Sequence, residues 1–396
     1  MSFSFRIVAQ QPDTSARAAA MTTGHGEVHT PAFMPVGTQG TVKTLSPGEL
    51  EEAGVQIVLS NAYHLYLRPG TEVIEQAGGL HSFIGWNHPI LTDSGGYQVF
   101  SLADLNMISE EGVTFQSHLD GSRHLFTPEK TMSIQHDLGA DIIMCLDECT
   151  NYPCSRGEAQ ASAELTLRWA QRCRQAHARL NAVQDRRQAL FGIVQGSTYA
   201  DVRAHSARAL AEMDLPGYAL GGLSVGEPKT AMYEMIDATM PYLPADKPRY
   251  LMGVGMPEDL VEAVSRGVDL FDCVIPTRNA RNGSVFTHQG QLVVKNAEYA
   301  RDFQPIDAAC GCYTCRHFSR AYLRHLFQAG EILAPRLATL HSVHFFMELM
   351  KQMREAILEA RFLAWRSEFL HQYRGSLKNG DQDMGAQRNP FIGGEI

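Results

Sequence analysis

One pattern constrains this chain more than any other. Short, continuously apolar runs recur along it, at residues 29–37, 56–60, 89–92, 141–146, 190–194, 218–221, 249–253 and 270–274. Stretches with helical spacing fall between most of them. Ser46-Pro47-Gly48-Glu49 reads as a capping box with proline at the first helical position. Thr127-Pro128-Glu129 opens a helix that ends near Gly139, and further helices are expected over 155–180, 200–213, 230–242 and 257–267. Strands this short and this uniformly apolar must be covered on both faces, which helices do around a parallel sheet. Eight such units in about 250 residues fit a (β/α)8 barrel, a TIM-barrel architecture in the α/β class. The alternative is an open doubly wound sheet, but no G-x-G-x-x-G follows a strand. Phe3, Phe5 and Ile7 alternate with polar residues and predict an N-terminal hairpin cap. Residues 94–126 are too many for one helix and predict an extra hairpin.

Composition excludes several classes. Among 396 residues, 44% are hydrophobic and 19% charged, which is incompatible with a largely disordered chain. No apolar run approaches the roughly 20 residues of a spanning helix, so no membrane role is expected. Arg6, Asp13 and Arg17 interrupt the start, which does not read as a secretory signal. Eight cysteines in so long a chain do not make a disulfide scaffold, and a reducing, cytoplasmic location is expected. The net charge of -9 argues against a general nucleic-acid coat. Charge is uneven, however. Residues 278–336 carry eight Lys/Arg against four Asp/Glu, whereas residues 1–277 carry 19 against 32. This is either a solvated face or a phosphate-binding one. Within it the helix over 319–329 offers Arg320, Arg324 and His325 to phosphates.

In such a barrel, chemistry sits just past the carboxyl ends of the strands. Those positions are Asn61, Asp93, Asp147, Gln195, Gly222, Gly253 and Asp272. Each has a bland reading. Asp93 before Ser94-Gly95-Gly96 suits a turn, Asp147 could cap a helix, and Gln195 could satisfy loop backbone. Asp272 is the least comfortable, because it lies among apolar residues where an unpartnered carboxylate is costly. Two carboxylates facing one sugar suggest glycosidic chemistry, with one attacking the anomeric carbon and the other moving the leaving-group proton.

Cys310-Gly311-Cys312-Tyr313-Thr314-Cys315 places three thiols within six residues. With His341 they make a Cys3His set that suits a closed, structural zinc site, one per subunit. His344 competes as the fourth ligand.

At this point four motifs can be set against a known family. Asp93-Ser94-Gly95-Gly96-Tyr97-Gln98, Gly221-Gly222-Leu223-Ser224-Val225-Gly226-Glu227, Phe271-Asp272-Cys273-Val274-Ile275-Pro276-Thr277-Arg278 and the C-x-C-x2-C…His set together resemble tRNA-guanine transglycosylase, in that family's order. The resemblance runs from about residue 3 to about residue 370. It implies a (β/α)8 barrel with a zinc-binding appendage after the last strand. It implies base exchange at the wobble position of tRNAs with a GUN anticodon, those for Asp, Asn, His and Tyr, as a step in queuosine biosynthesis. Asp272 matches the nucleophile and Asp93 the general acid/base. Asp147 matches the carboxylate that accepts the guanine N1–H and N2–H, which is chemically apt. Gln195 and the Gly222 N–H match the readers of O6, Tyr97 and Met252 the residues that sandwich the ring, and Ser94, Gly95 and Gly96 the pocket wall. The Leu223 carbonyl would take the ammonium of preQ1, 7-aminomethyl-7-deazaguanine. Asn61 matches a support for the nucleophile. RNA contacts are implied for Gly253, Val254, Gly255, Met256, Pro257, Glu258 and Asp259, and for Thr277, Arg278, Asn279, Ala280 and Arg281. Val225 and Cys149 resemble the bacterial form, which implies preQ1 rather than queuine and a homodimer.

The expected organisation is a barrel with its N-terminal cap over 1–277, a zinc-binding subdomain with C-terminal helices over 278–370, and a polar tail over 371–396, too short for a further RNA-binding domain. Other readings stay open: a non-catalytic tRNA-binding subunit of the same fold, a queuine-inserting enzyme, and a barrel glycoside hydrolase with an incidental zinc ribbon.

Overall fold

A computed structural model describes residues 3–98, 106–184 and 187–375. Eight parallel strands form one sheet: β1 (Ala32–Pro35), β2 (Val58–Ser60), β3 (Ile90–Thr92), β4 (Ile142–Met144), β5 (Ala189–Val194), β6 (Gly217–Leu220), β7 (Arg249–Leu251) and β8 (Leu270–Cys273). Their order around the sheet is β1-β8-β7-β6-β5-β4-β3-β2. The sheet closes where Val36 bridges Leu59 in parallel and the Gly37 N–H donates to the Leu59 carbonyl at 2.6 Å. The barrel is therefore as the alternation requires, and the doubly wound alternative falls.

The two-residue period of a strand decides what fills the barrel. Met34, Leu91, Ile142, Met144, Phe191, Ile193, Ala219, Tyr250 and Leu270 face inward as one cluster, while Phe33, Ile143, Leu190, Leu220 and Phe271 face the surrounding helices. Fully burying a side chain such as Leu, Ile or Phe is worth about 1.5–3 kcal/mol. Both faces of every strand thus contribute to stability. The helices include Pro128–Leu138, Arg156–Gln184, Ala200–Ala211, Lys229–Thr239 and Pro257–Ser265. The Ser46 capping box forms as read, with the hydroxyl taking the Glu49 N–H.

Three details differ from the sequence reading. The run over 29–37 is not one strand. Gly26–Thr30 pairs with Arg17–Thr23 in a separate sheet, and β1 starts at Ala32. Pro31, which has no N–H to extend a ladder, marks the break. The N-terminal cap is a three-stranded sheet, Ser4–Gln10, Arg17–Thr23 and Gly26–Thr30, rather than a hairpin. Its Phe3 and Phe5 pack on the inner cluster and close the bottom of the barrel. The insertion after β3 is likewise three-stranded, Asn106–Ile108, Val113–Gln116 and Arg123–Phe126.

After β8 come helix Ile275–Arg281, a hairpin (Ser284–Thr287 with Gly290–Val293), helices Tyr313–His317 and Arg320–Ala329, the long helix Leu333–Leu358 and helix Phe362–Gly375. The boundary expected after Thr277 lies inside the first of these. The last runs past residue 370 and buries Tyr373, while residues 376–396 of the expected tail lie outside the described residues. Among the described residues, no helix is long and apolar enough to cross a membrane.

Candidate active site

Strand periodicity also builds the site. Asp93, Gln195 and Asp272 each stand two residues past an inward-facing apolar residue, namely Leu91, Ile193 and Leu270. Period two keeps them on the inner face, at the carboxyl end. Met252 follows Tyr250 in the same way and packs on the inner cluster.

Asp272 is held by β7 and the loop after it. The Tyr250 hydroxyl donates to its Oδ1 at 2.6 Å and the Gly253 N–H at 2.8 Å. Both bonds end on the same oxygen, Oδ1. Burial raises the Asp272 carboxyl above its ordinary value, and the two hydrogen bonds act against that rise. Tyr250 was missed in the sequence, although a phenol inside an apolar barrel has to find a partner. Gly253, read there as an RNA contact, holds the Asp272 carboxylate.

Asp93 is 7% exposed and sits in the electrostatic field of Asp272. Its Oδ2 accepts from the Asn61 amide at 2.5 Å and its Oδ1 from the Ala62 N–H at 2.9 Å. Burial pushes its carboxyl up to about 6, the Asp272 charge adds to the rise, and the hydrogen bonds oppose it. Asn61 is thus a partner of Asp93 and not of Asp272, contrary to the expectation. The reason is local: Asn61 and Ala62 stand directly after β2, and Asp93 directly after its neighbour β3.

A third carboxylate, the buried Asp147, accepts from the Gln195 amide at 2.7 Å and from the Ser94 hydroxyl at 3.3 Å. Burial raises it to about 6 against the pull of both donors. Two glycines admit this packing. A Cβ on Gly96 would stand 2.8 Å from the Asp147 carbonyl oxygen. A Cβ on Gly222, whose φ is +62°, would stand 2.4 Å from Gln195 Oε1. Burial also pushes the Tyr97 phenol and the Cys149 thiol up to about 12.

The two segments read as RNA contacts divide by exposure. Val254, Gly255, Pro257, Glu258, Asp259, Thr277 and Ala280 are buried, and Gly253, Met256, Arg278, Asn279 and Arg281 are partly exposed. Glu258 and Asp259 pair with Lys229 at 2.7 and 3.0 Å. Lys43, which the sequence reading passed over, lies within the fields of Arg281 and Arg278, and burial with these two cations lowers its pKa. Arg320 and Arg324, offered to phosphates in the sequence reading, each have partners within the appendage. Arg320 binds Asp302 and the Ile306 carbonyl, and Arg324 the Asn296 carbonyl.

The cysteine cluster converges. Ligand atoms of Cys310, Cys312, Cys315 and His341 lie within 4.8 Å of one another. His341 Nδ1 stands 3.6, 3.5 and 3.3 Å from the three sulfurs. Tetrahedral bonds of ordinary zinc length would place them about 3.6 Å apart. Its Nε2 donates to the Phe286 carbonyl at 2.8 Å, the outer bond that fixes a ligating imidazole. His344 reaches Cys310 alone, at 3.7 Å, so the fourth position is that of His341. The donor set fits a metal ion; the ion's identity as zinc is a matter of donor chemistry.

A closed barrel with convergent carboxylates at its mouth, carrying a Cys3His appendage, has the build of a (β/α)8-barrel enzyme. A family model described as queuine tRNA-ribosyltransferase matches residues 13–375. A queuine tRNA-ribosyltransferase of Pelotomaculum thermopropionicum is 58% identical over 95% of this chain and all of its own length. Those of Caldanaerobacter subterraneus and Desulforamulus reducens are also 58% identical, over 94% and 93% of this chain and 98% of theirs. The chain belongs to the queuine tRNA-ribosyltransferase family.

Proposed function

We propose that this enzyme exchanges guanine 34 of GUN-anticodon tRNAs for preQ1 by double displacement, as a homodimer with one structural zinc per subunit. The observation that carries the reading is the pair Asp93 and Asp272 at the barrel mouth: Asp93 is buried within the field of the partly exposed Asp272, and both hydrogen bonds to Asp272 end on one of its oxygens.

Asp272 Oδ2 attacks C1′ of the ribose. The C1′–N9 bond breaks and its electron pair leaves with guanine, to which Asp93 supplies a proton. An acid raised to about 6 is suited to hold that proton near neutral pH. The tRNA then waits as an ester of Asp272. PreQ1 enters, Asp93 takes its N9 proton, N9 attacks C1′, and the ester bond breaks to return Asp272 as a carboxylate. One glycosidic bond replaces another, so the cycle needs no external energy source. Asp147 accepts the N1–H and N2–H of the base, Gln195 and the Gly222 N–H address O6, and the Leu223 carbonyl takes the ammonium. Tyr97 and Met252 sandwich the ring. A base flipped out of its stack is the usual route to such chemistry. The three thiolates and His341 would hold zinc, which pins the appendage after β8 without entering the reaction.

The test is incubation of the purified protein with guanine-34 tRNA and, in parallel, labelled guanine, preQ1 and queuine. Incorporation of guanine and preQ1 together with a denaturation-resistant protein–tRNA adduct is expected. Absence of both from well-folded protein would favour a non-catalytic tRNA-binding subunit, and queuine outcompeting preQ1 would reassign the substrate.

A further inference from the structure

Arg203, on helix Ala200–Ala211, is fully buried, yet no ion pair to it occurs among the described residues. Its guanidinium is spent on backbone. Nε donates to the Ser197 carbonyl at 2.6 Å, and one terminal nitrogen donates to the Gly221 carbonyl at 3.0 Å and the Gly222 carbonyl at 3.2 Å. The other terminal nitrogen is buried without a hydrogen-bond partner. Burial of a cation on these terms is costly: it lowers the Arg203 pKa to about 10 against the pull of the nearby Glu227 charge, which still leaves the guanidinium charged near neutrality.

Position explains the expense. The three carbonyls belong to the loops after β5 and β6, which carry Gln195 and Gly222. In a trans peptide the C=O and the following N–H point in opposite directions. Anchoring the Gly221 carbonyl therefore sets the Gly222 N–H to point away from that anchor, at a glycine so close to Gln195 that a Cβ would stand 2.4 Å from its Oε1, while the Gln195 amide reaches Asp147. Ser197 is held at a φ of +48°, a conformation a serine keeps only when its surroundings enforce it.

We propose that Arg203 is a positioning residue for the departing and incoming purine: it aims the Gly222 N–H at the purine 6-oxygen and, through its charge, strengthens that donor as negative charge builds on the base. This rests on the exchange reading above. A donor fixed in advance at an oxygen that gains charge is a recognised source of rate.

The test compares Arg203→Met and Arg203→Lys with the unaltered enzyme, using guanine and 6-thioguanine, whose sulfur is a weaker acceptor at the same position. For Arg203→Met the guanine KM should rise on the order of tenfold and the preference for guanine over 6-thioguanine should shrink toward parity, with tRNA affinity held within about twofold. Arg203→Lys keeps the charge but reaches fewer carbonyls, and should fall between. An unaltered preference in a folded Arg203→Met protein overturns the proposal, as does a loss of tRNA and base binding in parallel with the melting temperature. Should Arg203→Met not fold, an unaltered preference in Arg203→Lys overturns it alone. Unaltered enzyme that exchanges no guanine refutes the exchange reading itself; exchange with unaltered base preference in the variants refutes only the role of Arg203.

Discussion

Two buried carboxylates, Asp141 at the closed end of the barrel and Asp93 at the mouth, are treated in opposite ways. Asp141 stands at the closed end, just before β4. Its oxygens accept from His25 Nδ1 at 2.8 Å, His81 Nε2 at 3.1 Å and the N–H groups of His25 and Ile90 at 3.2 and 3.0 Å. Although burial raises it, these donors together hold its carboxyl down at about 2. At the mouth, Asp93 and Asp147 have fewer donors and rise to about 6. Asp141 is satisfied by four donors where the cap is stapled to the barrel. The under-satisfied Asp93 and Asp147 sit where a substrate would complete them, at a cost in stability.

Breaking the mouth should have the largest effect. Asp272→Ala should lower guanine exchange by about 10⁴-fold or more and abolish the protein–tRNA adduct, with the melting temperature unchanged or raised. Retention of the adduct would remove Asp272 from its role.

Asp93→Asn should lower exchange by roughly 10²- to 10⁴-fold, the range of a lost general acid. The same change should stabilise the fold near pH 7.5. The Asp93 carboxyl is raised on folding, so its contribution to stability is fully present below the usual carboxylate range and is lost as pH rises through about 6. Replacement by a neutral amide restores about 1–3 kcal/mol above that pH and nothing near pH 3.5. Denaturation of both proteins across that window checks the sign.

The closed end should behave in reverse. Asp141→Ala leaves the donors of His81 and Ile90 unmet inside the fold, and should cost about 2–4 kcal/mol while leaving the kinetics of the remaining folded enzyme within about twofold. A selective loss of kcat would abolish the division of labour between the two ends. Smallest of all, Arg281→Ala should weaken tRNA binding severalfold and flatten its salt dependence by about one unit of slope. Titration of affinity against salt measures it.

Much of this was legible in the chain. Strand alternation marks inner and outer faces, so Asp93, Gln195 and Asp272 could be placed at one mouth from their spacing to Leu91, Ile193 and Leu270. The cysteine spacing marked the cluster that could hold a metal ion, because ligands close in sequence need little tertiary help. The pairings across strands were not legible. Asn61 lies next to Asp93 because β2 and β3 are neighbours, and Tyr250 reaches Asp272 across β7 and β8. The choice of His341 over His344 depended on which imidazole points at all three sulfurs, and a spacing of one helical turn could not decide it.

By itself the sequence determined the repeated unit, the inward residues and the chemistry available at the strand ends, since periodicity is a local property of the backbone. Only the closed barrel decided which carboxylate receives which donors, and so which are pushed up and which are held down. That outcome depends on burial and on neighbours from 19 to 116 residues away, such as Arg203 behind Gly222 and His25 beside Asp141, and no local rule carries it.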